Sequence, residues 1–142
     1  MSNYSAGIAD PYWYEWSIGL LYALDMLNPD NNIKHIILQA NNMQGLDDVI
    51  IEYNNGEAKC IQVKHTRINN SLTFSDLVYP SGKNKSLLYK LSSDWKNSGY
   101  KNCEAILFTN RTIGERKSTS QNDKYVIPPL NEFINQINKK NN

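Results

Sequence analysis

The chain predicts a small α/β layered domain: a mixed sheet of about four strands flanked by helices. Three observations carry this. Residues 12–27 repeat apolar side chains at intervals of three and four, the period of a helix. Two runs of branched and apolar residues, 49–53 and 59–65, are separated by Asn54-Asn55-Gly56, a tight-turn signal that folds them into an antiparallel hairpin. A second helical pattern, 86–95, is then followed by a further strand-like run, 104–109, which places a helix between strands of one sheet.

In chain order, Asp10-Pro11 starts the first helix, with Asp10 as N-cap and Pro11 in the first helical position. Trp13, Trp16, Leu20, Leu24 and Leu27 form its apolar stripe. Tyr14, Ile18, Leu21 and Tyr22 widen it, so a deeply packed helix is expected, ending at Asn28-Pro29-Asp30. Residues 33–40 are the first strand, and the hairpin supplies the second and third. Residues 66–84 read as a loop with a short helical turn near 74–78. The helix over 86–95 carries Leu87, Leu88, Leu91 and Trp95 on one side and closes at Gly99. After the strand at 104–109, residues 111–124 form a basic loop, 125–127 a short extended piece, and 130–138 a last helix with Phe133, Ile134 and Ile137 on one side.

At 142 residues, 40% hydrophobic and 20% charged, the composition is that of one globular domain spanning 1–142. The terminal Lys139-Lys140-Asn141-Asn142 reads as the start of a linker, hence as the N-terminal part of a longer protein. No apolar run is long enough for a membrane span and no secretory pattern opens the chain. Cys60 and Cys103 lie in strand-like runs without metal-ligand spacing. They point to buried thiols in a reducing compartment, the cytoplasm. A net charge of +1 does not by itself mark a nucleic-acid binder. Its distribution is uneven, with −6 over residues 1–56, +5 over 57–101 and +2 over 102–142.

The hairpin gathers the chemistry. Alternation along a strand puts Gln62 and Lys64 on one face of the third strand, and Asp48, Ile50 and Glu52 on one face of the second. A two-residue turn at Asn55-Gly56 sets Asp47 or Asp48 across from Lys64 or its near neighbours. A carboxylate there offers hard oxygen to a divalent cation, an amide oxygen adds a ligand without charge, and a lysine neutralises charge on an attacked phosphate. Glu15, an acid within an aromatic segment, needs a partner, which Lys64 or the metal would supply. Each residue also has a plainer reading: a turn for Asp47-Asp48, a snorkelling Lys64, a packed Gln62, and a solvated Glu15 near the positive end of its helix. His65, on the face opposite Lys64, reads as an edge or core histidine.

Asp48 followed by Gln62-Val63-Lys64 resembles the D…QxK variant of the PD-(D/E)xK nuclease signature. The stretches "GLDDVIIEY", "IQVKHTR" and "LLYKLSSDW…EAILFTNR", with the first helix, are similar to the Cap4-type dsDNA endonuclease domains found at the N-termini of bacterial antiphage defence proteins, including Avs-type (STAND NTPase) proteins. That resemblance, over roughly residues 5–112, implies a restriction-endonuclease-like core. It implies metal-dependent cleavage of double-stranded DNA; no base-reading motif is visible in the sequence, so little sequence specificity is expected. Asp48, Gln62 and Glu15 would hold Mg²⁺, for which Mn²⁺ substitutes, and Lys64 would be the catalytic lysine. Asp47 stands as the alternative ligand. Lys83, Lys85, Arg111, Arg116 and Lys117 are the candidates for DNA phosphate contacts. A homodimer or higher homo-oligomer, and sensor or NTPase domains in the full-length protein, are the implied partners. The competing expectation is a catalytically inactive nuclease-like module that binds nucleic acid or a partner protein.

Overall fold

The computed structural model describes residues 10–67, 70–80, 82–114, 118–119, 126–127 and 129–140. The elements run α1 (Asp10–Asp25), a 3₁₀ turn (Pro29–Asn31), β1 (Ile33–Leu38), β2 (Val49–Tyr53), β3 (Glu57–Lys64), α2 (Phe74–Val78), α3 (Leu87–Asn97), β4 (Asn102–Thr109), β5 (Ser118–Thr119), β6 (Val126–Ile127) and α4 (Leu130–Lys140). The expected order of helix, three strands, helix, strand and helix stands. The chain divides into two compact units, residues 1–65 with 90–109, and residues 66–89 with 110–142.

The first unit holds a four-stranded mixed sheet in the order β1-β2-β3-β4. β1–β2 and β2–β3 are antiparallel, and β3–β4 is parallel. Strand parity divides its core in two. Val49, Ile51, Ile61 and Val63 turn to one face, where Ile18, Tyr14 and Tyr22 of α1 cover them. Ile50, Ala58 and Cys60 turn to the other with Leu46 and Met43, packed by Leu91 of α3 and by Tyr100. Cys60 and Cys103 are free thiols with sulfurs 3.2 Å apart; Cys60 is fully buried, Cys103 half-buried.

Two expectations change here. The first helix is not deeply packed. The Tyr14–Ile18–Tyr22 stripe, one residue per turn, packs on the core face of the sheet and Gly19 lies against Leu38, while Trp13, Leu20, Leu21 and Leu24 are each more than half exposed. A single sheet face covers one stripe of a helix, and the remaining apolar width has no cover among the described residues. The hairpin loop is also one residue longer than expected. Pairing of Glu52 with Ala58 leaves Asn54, Asn55 and Gly56 near the tip, with Gly56 at φ +84° and its N–H on the Tyr53 carbonyl. This is the three-residue type of hairpin, whose left-handed position glycine fills without strain.

In the second unit Leu72 bridges Ile113 in parallel, α2 starts on a Thr73–Asp76 capping box, and Phe74 meets Phe133 of α4 edge-on at 4.8 Å. Within the loop expected over 111–124, Ser118–Thr119 pairs with Val126–Ile127 as a two-stranded sheet; pieces of two residues leave no periodicity to read. Among the described residues no helix is long and apolar enough to cross a membrane.

Candidate active site

The longer turn decides who meets whom. Pairing of Val49 with Ile61, extended by one step, brings Asp48 to Gln62 instead of to Lys64 or Val63. The side chains confirm that register. Asp48 Oδ2 accepts hydrogen bonds from the Gln62 amide nitrogen and, at 2.6 Å, from the Val63 backbone N–H. Asp47 and Asp48 also continue the β1–β2 ladder through their carbonyls, which accept from Ala40 N (2.8 Å) and Gln39 N (3.0 Å). The carboxylate that faces β3 is that of Asp48, while Asp47 acts on it through charge alone.

Gln62 is only 4% exposed and is the one buried polar side chain among the described residues. Such an amide must be partnered, and its partner is Asp48. Burial in turn pushes the Asp48 carboxyl up to about 6. The Val63 N–H opposes that rise, Glu15 and Asp47 add to it by repulsion, and Lys64 opposes it by attraction. Three charged groups named from the sequence, Glu15, Asp47 and Lys64, are thus within electrostatic reach of that carboxylate. Asp48 Oδ1 accepts no hydrogen bond among the described residues.

Lys64 closes β3 with an exposed side chain, its carbonyl tied to the Thr109 hydroxyl at 2.7 Å. It forms no ion pair among the described residues, so its ammonium stays available. Glu15 projects from α1, and the partner expected for it is not Lys64: its Oε2 accepts from the Gln39 amide at 3.2 Å. Gln39 reaches it from a left-handed residue (φ +53°) just past the end of β1. His65, just past the end of β3, meets the Tyr14 ring with centroids 4.7 Å apart and planes tilted by 43°.

The described candidate phosphate contacts, Lys83, Lys85 and Arg111, belong to the second unit. Lys83 and Lys85 are exposed, Lys85 lying 4.1 Å from the Tyr89 ring centroid. Arg111 is not a free surface cation. Its guanidinium bonds the Ser71 carbonyl at 2.5 Å and the Asp76 carboxylate at 2.9 Å, bracing its own unit, so a phosphate would have to compete with both. Arg116 and Lys117 lie outside the described residues, as does the 5–9 stretch of the expected resemblance.

Two participants escaped the sequence reading. Gln39 carried no signal. Asp94 carried one: it lies three residues after Leu91 and seven after Leu87, on the apolar stripe of α3, where a carboxylate needs donors. It finds three, the backbone N–H groups of Gln44, Gly45 and Leu46, at 2.8, 2.6 and 3.1 Å.

Among the described residues no three His, Cys, Asp or Glu side chains cluster as a ready-made metal cage. The donors that are present suit Mg²⁺, which keeps several waters and takes one or two protein carboxylates together with substrate phosphates. The uncommitted Asp48 Oδ1 is such a donor. The Gln62 amide turns its nitrogen to Asp48, and a half-turn of the planar group presents its oxygen instead.

A family model described as "Cap4, dsDNA endonuclease domain" matches residues 9–140, and the chain belongs to that family. No curated protein and no solved structure matches it.

Proposed function

We propose that this member of the Cap4 dsDNA endonuclease family hydrolyses phosphodiester bonds of double-stranded DNA, with Mg²⁺ as cofactor, Mn²⁺ able to replace it, and little sequence specificity. The observation that carries the reading is the half-buried Asp48 carboxylate bonded to the buried Gln62 amide, beside an unpaired Lys64. Burial raises the Asp48 carboxyl to about 6, so keeping it ionised at neutral pH has a cost. A cation beside it favours the charged form and offsets that cost.

Asp48, Gln62 and Glu15 would hold the ion, with Asp47 as the alternative ligand. Mg²⁺, when bound, supplies Lewis-acid polarisation of the phosphate and of the attacking water. Lys64 orients that water or stabilises the negative charge that develops on the phosphate. No base-reading motif is visible in the sequence, which suits cutting without strong sequence preference. A double-strand break takes two sites or two successive cuts, so the working form is a homodimer or higher homo-oligomer. An activity of this kind is toxic to its host. It therefore suits an antiphage effector held in check by sensor or NTPase domains of a longer, cytoplasmic protein.

The test is plasmid cleavage by the purified domain in Mg²⁺ and in EDTA, beside Lys64→Ala. We expect nicking and linearisation in Mg²⁺ alone, and a loss of about 10²- to 10⁴-fold in the variant. Equal rates would remove Lys64 from the mechanism. Among the described residues no three His, Cys, Asp or Glu side chains cluster, which favours a second reading, a catalytically silent nucleic-acid-binding module. Retention of duplex DNA without cleavage in either cation would select it.

A further inference from the structure

We infer that Asp94 is a positioning residue of the candidate site: through three backbone N–H groups it holds the segment entering β2, and so sets where the Asp48 carboxylate stands. The inference rests on the proposed role of Asp48 and extends it to a residue on another element.

Asp94 Oδ2 gathers the N–H groups of Gln44, Gly45 and Leu46 on a single oxygen, at 2.8, 2.6 and 3.1 Å. Hydrogen bonds to an ionised acceptor are the strong kind, and three successive donors turned to one atom fix the path of the chain that carries them. The same segment lies flush against α3. A Cβ on Gly45 would fall 2.6 Å from Lys90 Cβ and 2.9 Å from the Lys90 carbonyl carbon, so only glycine permits that approach. Leu46, with no exposed surface, anchors the next position in the core beside Leu91.

From Leu46 to Asp48 is two residues, too short a span to absorb displacement. On the far side the carbonyls of Asp47 and Asp48 are held by Ala40 and Gln39. The segment is therefore clamped between α3 and the end of β1, and Asp48 stands at the exit of the clamp. The adjacent strand carries a reporter. The Val63 backbone N–H donates to Asp48 Oδ2 at 2.6 Å, so its protection from solvent exchange records the position of that carboxylate without any metal or DNA.

The experiment compares wild type, Asp94→Ala, Asp94→Asn and Gly45→Ala by amide hydrogen exchange, with circular dichroism to establish that each is folded. The expected result for Asp94→Ala is exchange at Val63 faster by about 10-fold or more, with Ile61 in the same strand unchanged. Asp94→Asn keeps an acceptor oxygen in place and falls between wild type and the alanine variant. Gly45→Ala lifts the segment off α3 and accelerates Val63 as well. A folded Asp94→Ala that loses protection at Gln44, Gly45 and Leu46 but keeps the wild-type rate at Val63 overturns the inference, because the contact would then be structural only. Should Asp94→Ala not fold, Asp94→Asn and Gly45→Ala decide by the same criterion at Val63. Calorimetry with Mn²⁺ gives the functional readout: weakening by about 10- to 100-fold in Asp94→Ala is expected, and unchanged affinity counts against the role. A wild type that neither binds Mn²⁺ nor cuts plasmid fails the nuclease reading, and exchange at Val63 still decides whether Asp94 positions Asp48.

Discussion

Strand β2 carries two carboxylates of the same parity, Asp48 just before its first residue and Glu52 near its last, and the two ends treat them in opposite ways. Glu52 is met by the Tyr100 hydroxyl at 2.7 Å and by His35 Nδ1 at 3.2 Å, one donor for each oxygen. These bonds, Tyr100 foremost, hold its carboxyl below the usual glutamate range. At the other end both donors converge on one oxygen of Asp48, two acids and one lysine act on it from nearby, and burial pushes its carboxyl up to about 6. One end is a satisfied latch near the turn. The other is a polar cluster whose charge is not balanced by the protein alone, and that is where a cation and a phosphate have a place.

The contrast can be broken most sharply by activity. Asp48→Asn is expected to reduce Mg²⁺-dependent plasmid cleavage by about 10²- to 10⁴-fold, while Glu52→Gln stays within about 2-fold of wild type. Equal losses would erase the distinction between the ends. Stability gives the next effect. Tyr100→Phe, which removes the bond to an ionised Glu52, should cost about 1.5 kcal/mol in urea denaturation with cleavage retained.

Acid should then separate the ends by sign. The folded Asp48 carboxyl titrates at about 6, above its ordinary 3.8, so its contribution to stability is full below about 3.8 and is lost as pH rises through about 6. In EDTA, Asp48→Asn should flatten that loss, gaining on the order of 1 kcal/mol at pH 7 after allowance for partial exposure. Glu52 runs the other way. Its contribution is present above 4.5 and is lost as pH falls through its depressed folded value, so Glu52→Gln should flatten the acid limb instead. The smallest effect belongs to His35, whose side chain is 60% exposed. His35→Ala should shift stability by no more than about 0.5 kcal/mol, and a larger cost would mean that the latch extends to β1.

Much of this arrangement was legible before any coordinates. Branched runs on either side of Asn54-Asn55-Gly56 locate the hairpin, and parity pairs Gln62 with Lys64 on one strand and Asp48 with Glu52 on the other; the register then brings Asp48 and Gln62 together. The sequence leaves the partner of Asp48 open between Lys64 and its near neighbours, because a loop of three residues and one of two differ by a single step of register, and such a step changes every pairing. The partner that Glu15 finds within the protein is Gln39 and not Lys64, because Gln39 adopts a left-handed conformation that nothing in the local sequence announces. The first helix was overburied because periodicity measures how wide an apolar face is, and not how much sheet there is to cover it.

The sequence by itself determined what depends on near neighbours: the helical and strand periods, the hairpin, and which side chains share a face, since these follow from backbone geometry repeated every two or 3.6 residues. Only the tertiary structure decided what depends on distant ones. Asp94 meets the chain some fifty residues before it, Gln39 meets Glu15 across two elements, and Arg111 turns inward to Asp76. Burial belongs to the same class. The cost of ionising Asp48 comes from what packs around it, and residues scattered along the chain reach that place only when the sheet and its two covering helices close over it.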